Sequence, residues 1–236
     1  MNHDNYVPED IDNGQRAVSC PVCGTNIPNN PKDMLFEIEA IDTDFRIHTL
    51  QDDLLDDWLI QCPVCYYVSH DFASPPENLQ KVSVYVESPA YLDQFLDNNP
   101  TTLELFRAYQ GILKVDGARS YLIGDCYMRI AWLFDDEGDD IQAAENRKKA
   151  IEYFEQSLLE KDMNTKDVSM SHYLMADMHR RNKDFDKARK SLYNLDTSIK
   201  MMRRLFDFQW KLINEKKSGI VHLPREESPD EVLSRI

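Results

Sequence analysis

Glycine is scarce in this chain, with seven among 236 residues. None falls in the paired-glycine loops whose backbone N–H groups cradle nucleotide phosphates, which argues against Rossmann and P-loop designs. No stretch approaches the roughly 20 consecutive apolar residues that span a bilayer. Residues 1–12 are polar and acidic with no apolar segment, so no secretory or transit signal is expected and the location is read as cytoplasmic. Basic side chains are missing from one half in particular. Residues 1–100 hold 4 of them against 18 acidic ones, a charge of −14, while the remaining 136 residues carry only −1. Within the latter, residues 180–217 hold 12 basic and 5 acidic side chains, or +7. A phosphate-tracking protein presents a dominant positive face, so the acidic first half argues against nucleic-acid binding. The basic stretch reads as a solvated helix face or as a surface that docks on the acidic half. With 42% apolar and 29% charged residues, the remainder is ordinary globular composition, enough for one large domain or two small ones.

Five cysteines are present, and four form two identical tetrads, Cys20-Pro21-Val22-Cys23 and Cys62-Pro63-Val64-Cys65, with 38 residues between Cys23 and Cys62. Two intervening residues let both sulfurs of a tight turn face one ion, and two such turns supply a tetrahedral S4 site. Cys20, Cys23, Cys62 and Cys65 are therefore the candidate metal ligands, for one structural Zn2+. Rubredoxin-like iron is the rival, since its knuckles also read Cys-Pro-x-Cys and an S4 cage suits either metal. Cys126 lies in an apolar helical stretch and reads as buried filler. His70, five residues past Cys65, is an alternative ligand, and His48 reads as a surface or sheet residue. The acidic cluster of Asp52, Asp53, Asp56 and Asp57 lacks calcium-loop spacing and reads as solvated.

Phe36 to Ala40 alternates apolar and acidic residues, the pattern of a half-buried strand, and Trp58-Leu59-Ile60 leads into the second knuckle. Val82, Val84 and Val86 alternate with Ser83 and Tyr85, which suggests another strand, although Pro75-Pro76 also allows a short helix over residues 76–87. So small a β module buries little surface, and it is expected to unfold without metal while the helical half persists.

From Ser88 onward the pattern turns helical. Thr101-x-x-Glu104 is a capping box. Ala131 and Ala143 are 12 apart, as are Ala176 and Ala188, and 45 residues separate corresponding members. This spacing, with Gly138-Asp139 and Asn182-Lys183-Asp184 at the turns, is tetratricopeptide-like. A long second helix is expected from about Ile141 to Glu160, with capping helices near residues 101–115 and 199–217. His172 and His179 share one helix face and read as packed residues. Ser228-Pro229 has the form of a helix start. The fold class is thus α+β: residues 1–17 an N-terminal tail, 18–87 a small zinc-ribbon-like β module, 88–217 a tetratricopeptide-like helical stack, and 218–236 a C-terminal tail.

These residues together resemble the bacterial family known as domain of unknown function 2225. The matching features are Cys20-Pro21-Val22-Cys23-Gly24, Asp42-Thr43-Asp44-Phe45, Cys62-Pro63-Val64-Cys65, Arg129-Ile130-Ala131-Trp132-Leu133 and the Arg180-Arg181 turn. The resemblance implies paired knuckles followed by tetratricopeptide-like helices, and it implies no known reaction. The family pattern has glycine and then tyrosine after the second knuckle, where this chain has Tyr66-Tyr67. A positive φ at Tyr66 would cost about 1 kcal/mol.

The functional expectation is a cytoplasmic, zinc-stabilised scaffold or adaptor that is not an enzyme and that binds an unknown protein or peptide partner through its helical surface. A homo-oligomer is a further possibility, and no membrane partner is expected. The alternatives are a rubredoxin-like electron carrier or metal-dependent enzyme, and a nucleic-acid-binding zinc module.

Overall fold

The computed structural model describes residues 17–28, 37–50, 53–95, 99–160 and 163–224. The N-terminal tail before Ala17, Phe36, Asp52 and the Ser228-Pro229 helix start lie outside the described residues. The architecture is α+β: three small β hairpins, the first and third of which carry the paired cysteines, followed by a helical stack of eight α-helices among the described residues.

Each hairpin is antiparallel. Strands β1 (Ala17–Ser19) and β2 (Asn26–Pro28) pair with Val18 opposite Ile27. Strands β5 (Ile60–Gln61) and β6 (Val68–Ser69) pair with Gln61 opposite Val68. Both pairs close through a Cys-Pro-Val-Cys knuckle. Between them in sequence, β3 (Ile38–Ile41) and β4 (Ile47–Thr49) are joined by Asp42-Thr43-Asp44-Phe45. The Phe45 N–H donates to the Asp42 carbonyl at 2.9 Å, and the Asp42 N–H donates to the Arg46 carbonyl at 2.8 Å. Phe45 closes this tight turn at φ 65°, the left-handed position that such a hairpin loop requires.

The valine alternation at residues 82–86 proves to be helix α1 (Leu79–Val86) and not a strand. Val82 and Val86 are one helical turn apart and both buried, while Val84 is 67% exposed on the opposite side. Five alternating residues satisfy both periods locally. The helix is selected by its neighbours: Asn78, just ahead of it, donates its backbone N–H to the Asp116 carboxylate at 2.6 Å. After α2 (Pro89–Leu92) comes α3 (Thr102–Asp116), opened by the expected box, in which the Glu104 carboxylate accepts the Thr101 N–H at 2.8 Å. Gly117 ends α3 at φ 76°.

Helices α4 (Ser120–Asp136) and α5 (Asp140–Ser157) form one hairpin, and α6 (Thr165–Arg181) and α7 (Phe185–Leu192) form another. Ala131, Ala143, Ala176 and Ala188 are all fully buried, so the 45-residue correspondence places small side chains where backbones approach. At the turns the left-handed residues are Gly138 (φ 72°) and Lys183 (φ 64°); Asn182 remains at negative φ. Helix α8 (Lys200–Asn214) follows, and the segment 221–223 returns beside β3. Among the described residues, most buried apolar side chains form one contiguous cluster from Cys20, Val68 and Phe72 through Phe106 to Leu192 and Ile213. No helix among the described residues is long and apolar enough to cross a membrane.

Candidate metal centre

The two knuckles are built alike. In the first, the Gly24 N–H donates to the Cys20 carbonyl at 2.9 Å and the Cys20 N–H to the Thr25 carbonyl at 2.8 Å. In the second, the Tyr66 N–H donates to the Cys62 carbonyl at 3.0 Å and the Cys62 N–H to the Tyr67 carbonyl at 2.8 Å. The residue after each knuckle takes a left-handed conformation, Gly24 at φ 76° and Tyr66 at φ 61°. Tyr66 tolerates it because its ring stacks on Phe95 at 5.6 Å and its carbonyl accepts the Tyr91 hydroxyl at 2.7 Å.

Facing each other, the knuckles bring all four predicted sulfurs together, within 4.8 Å of one another. Cys20 Sγ lies 3.6 Å from Cys65 Sγ, and Cys23 Sγ lies 3.6 Å from Cys62 Sγ. A disulfide requires about 2.05 Å. An S4 tetrahedron with bonds of about 2.3 Å has edges of about 3.8 Å. The donor set and its spacing therefore fit a four-thiolate metal ion. Cys20 and Cys62 are buried, Cys65 is half-buried and Cys23 is exposed. Burial pushes the Cys20 thiol up to about 11, against the pull of the Cys23 and Val22 backbone amides. Burial also pushes the Cys65 thiol up. At Cys23 partial burial acts the same way but is outweighed by the Thr25 hydroxyl and backbone amide, which bring the thiol down to about 7. Four thiols gathered this closely could hold a metal ion.

His70 is not in the cage. Its Nδ1 is 2.9 Å from the Tyr109 hydroxyl, and its ring stacks on Trp58 at 5.4 Å. Cys126 is fully buried and its thiol points to the Phe106 carbonyl at 3.5 Å. His172 and His179 are half-buried on α6, where burial lowers both. Asp53 departs from the solvated reading, since its carboxylate pairs with Arg46 at 2.6 Å.

The motifs at residues 42–45, 129–133 and 180–181 meet in space. The β3–β4 turn inserts between α4 and α6. Asp44 Oδ2 accepts from Trp132 Nε1 at 2.7 Å and from Arg181 Nη1 at 3.0 Å. Arg181 also reaches Asp135 at 2.7 Å, and Asp135 holds Arg147 at 2.9 Å. Arg180, fully buried, pairs with Asp177 at 2.7 Å, donates to Thr43 Oγ1 at 3.1 Å and holds the Lys217 and Gly219 carbonyls at 2.7 and 2.9 Å. Arg46 grips both oxygens of Asp136 at 2.7 Å. For Asp44, burial and the neighbouring Asp177 push the carboxyl up; for Asp177, burial is overcome by Arg180 and Arg181, which hold it below the usual carboxylate range. This network is a joint between hairpin and helices. Its signal in the sequence was the clustering of opposite charges within the matching motifs, but the pairing spans about 137 residues.

Sequence reading also missed a second group, Asp42, His48 and His222, whose ligand-type atoms lie within 4.8 Å of one another. His48 stood out only as a surface or sheet residue, and His222 fell in the C-terminal tail. Searches of curated proteins and of solved structures return no significant match. Residues 14–216 match the profile of the family described as "Uncharacterized protein conserved in bacteria (DUF2225)", which spans most of the chain, and the chain belongs to that family.

Proposed function

We propose that this protein is a non-catalytic adaptor in which one structural zinc ion staples the hairpin region and the helical stack offers a surface to a protein or peptide partner. The observation that carries the reading is the closure of the cysteine cage. Four thiolates complete a tetrahedral shell and leave no position for a substrate, which favours a structural ion over a catalytic one. The reducing cytoplasm is the compartment in which four free thiols persist for metal.

The α4–α5 and α6–α7 hairpins, offset by 45 residues, read as tetratricopeptide-like units, a design that binds partners along its surface. The feature best suited to a partner is the aromatic group of Tyr193, just after α7, with Phe206 and Trp210 on α8. Tyr193 is 64% exposed, and its ring centroid is 5.4 Å from that of Trp210. It lies within the stretch that carries +7, so an acidic peptide or the acidic half of a second copy would suit it.

The test has two arms. Metal analysis of tag-free protein should find zinc in colourless preparations, and Cys62→Ser should contain about one zinc fewer; red, iron-loaded protein would replace this reading with a rubredoxin-like electron carrier. Cross-linking in cells should give a defined adduct that Tyr193→Ala/Trp210→Ala loses while keeping its helical circular dichroism. An adduct unchanged by that pair of substitutions would sink the proposed surface. Low-salt binding to nucleic acid would support the third alternative instead.

A further inference from the structure

We propose that Asp42, His48 and His222 form a second cation site, distinct from the cysteine cage, that takes a divalent first-row transition-metal ion of the zinc class and leaves coordination positions open to solvent. It does not depend on the adaptor reading.

The three donors are positioned by backbone, not by chance proximity of long side chains. Asp42 directly follows β3 at the hairpin turn, and His48 lies across from Ala40 in the adjacent β4. On the other side of β3, His222 bridges directly to Asp42 in an antiparallel pairing. That pairing is fixed by the Thr43 N–H to the Val221 carbonyl at 3.0 Å and by the Leu223 N–H to the Ile41 carbonyl at 2.7 Å. Asp42 therefore sits between two histidines, one supplied by β4 and the other by the segment 221–223. Its Oδ2 is 2.8 Å from His48 Nε2, and its Oδ1 is 2.7 Å from His222 Nδ1. The imidazole centroids are 5.6 Å apart.

Zinc–nitrogen and zinc–oxygen bonds of about 2.0–2.2 Å place adjacent ligand atoms roughly 3 Å apart. Small rotations of the two rings away from the carboxylate would meet that requirement. The Asp42 side chain is 3% exposed, whereas those of His48 and His222 are 30% and 58% exposed. The site thus has a buried anionic anchor and a wet side. The wet side is an open cleft of about 430 Å³ lined by Glu39, Ala40, His48, His222 and Leu223. Nearby arginines are committed elsewhere: Arg46 to Asp53 and Asp136, Arg180 to Asp177, and Arg181 to Asp44 and Asp135. Two imidazoles and one carboxylate select zinc, iron or cobalt over the hard ions magnesium and calcium. Three protein ligands facing a cleft is the pattern of an ion that keeps exchangeable positions. The cysteine cage, by contrast, is closed. His222 lies beyond the residues 14–216 that match the family, so the complete site joins two ligands inside the matched region to one outside it.

The experiment is equilibrium dialysis of the full-length, tag-free protein, its cysteine cage already loaded, against Zn2+, followed by the same titration with Co2+ watched by absorption. Wild type should take up one equivalent beyond the cage, and its cobalt spectrum should lack thiolate charge-transfer bands. His222→Ala and His48→Ala should each weaken that uptake by about 100-fold or more while retaining the cage zinc and the helical circular dichroism. His222 is largely exposed, so its variant should fold. Saturation of wild type at the cage ion alone, or an extra equivalent that survives in both variants, would overturn the proposal and show that the histidines merely clamp Asp42 by hydrogen bonds. The cage zinc is measured in the same samples, so failure here leaves the adaptor reading separately judged.

Discussion

Tyr66 shows how one residue carries opposing demands. Its left-handed φ costs about 1 kcal/mol relative to glycine, yet its ring stacks on Phe95 and its backbone carbonyl receives Tyr91. Aromatic pairing is worth about 0.5–1.5 kcal/mol beyond area burial, and partial burial of the ring adds about 1–2 kcal/mol. Tyr66→Gly should therefore destabilise the protein by about 1 kcal/mol even though it relieves the backbone, as read by the urea midpoint of metal-loaded protein. A gain in stability would mean that strain dominates. Arg181 is a sterner case. It bridges Asp44 and Asp135 with its side chain 6% exposed, and removal of one partner from a buried ion pair typically costs about 3–5 kcal/mol. Arg181→Ala should lose about that much in equilibrium unfolding. An effect below about 1 kcal/mol would show that water repairs the joint.

Among the elements, α1 and α3 are set by how closely they approach. A Cβ at Gly111 would collide with the Tyr85 hydroxyl and lie 3.0 Å from its ring carbon Cζ, and the Tyr85 ring is in turn held against Tyr91 at 5.1 Å. Alanine gains about 1 kcal/mol of helix propensity in a helix interior, but overpacking costs about 1–3 kcal/mol. Gly111→Ala is expected to lower stability by about 1 kcal/mol in denaturant melts. The same contact explains why residues 82–86 are helical: the apolar face of Val82 and Val86 has a partner in α3, whereas an isolated strand there would have no ladder to join.

Among the described residues, hairpins and helices share one apolar cluster and a buried ionic joint. The expectation that metal loss would unfold the first 87 residues and spare the helices is thereby revised. Chelation, or Cys62→Ser, should lower the melting temperature of the helical signal as well, in a single transition, with a loss of about 4 kcal/mol or more. Two separated transitions would restore the view of independent halves. Stability should also weaken in mild acid. Burial lowers His172 and His179 from 6.5, so the unfolded chain binds protons that the folded one resists. Their contribution is present above about pH 6.5 and is lost as the pH falls through the lower folded values. The drop in urea midpoint between pH 7.5 and 5.5 should shrink in His172→Gln/His179→Gln; an unchanged drop would assign it to other groups.

The local chain determined the knuckles, the α3 capping box and the buried alanines of the two helical hairpins, because those features depend on spacings of two to twelve residues that backbone geometry translates directly. Four cysteines in two identical turns likewise marked out the candidate metal ligands, which the fold brings together. Asp44 with Arg181, Thr43 with Arg180, and Asp42 with His222 were decided only by the tertiary structure. Each pair is separated by well over a hundred residues, and a buried polar or charged group meets so distant a partner only when the fold brings their elements together.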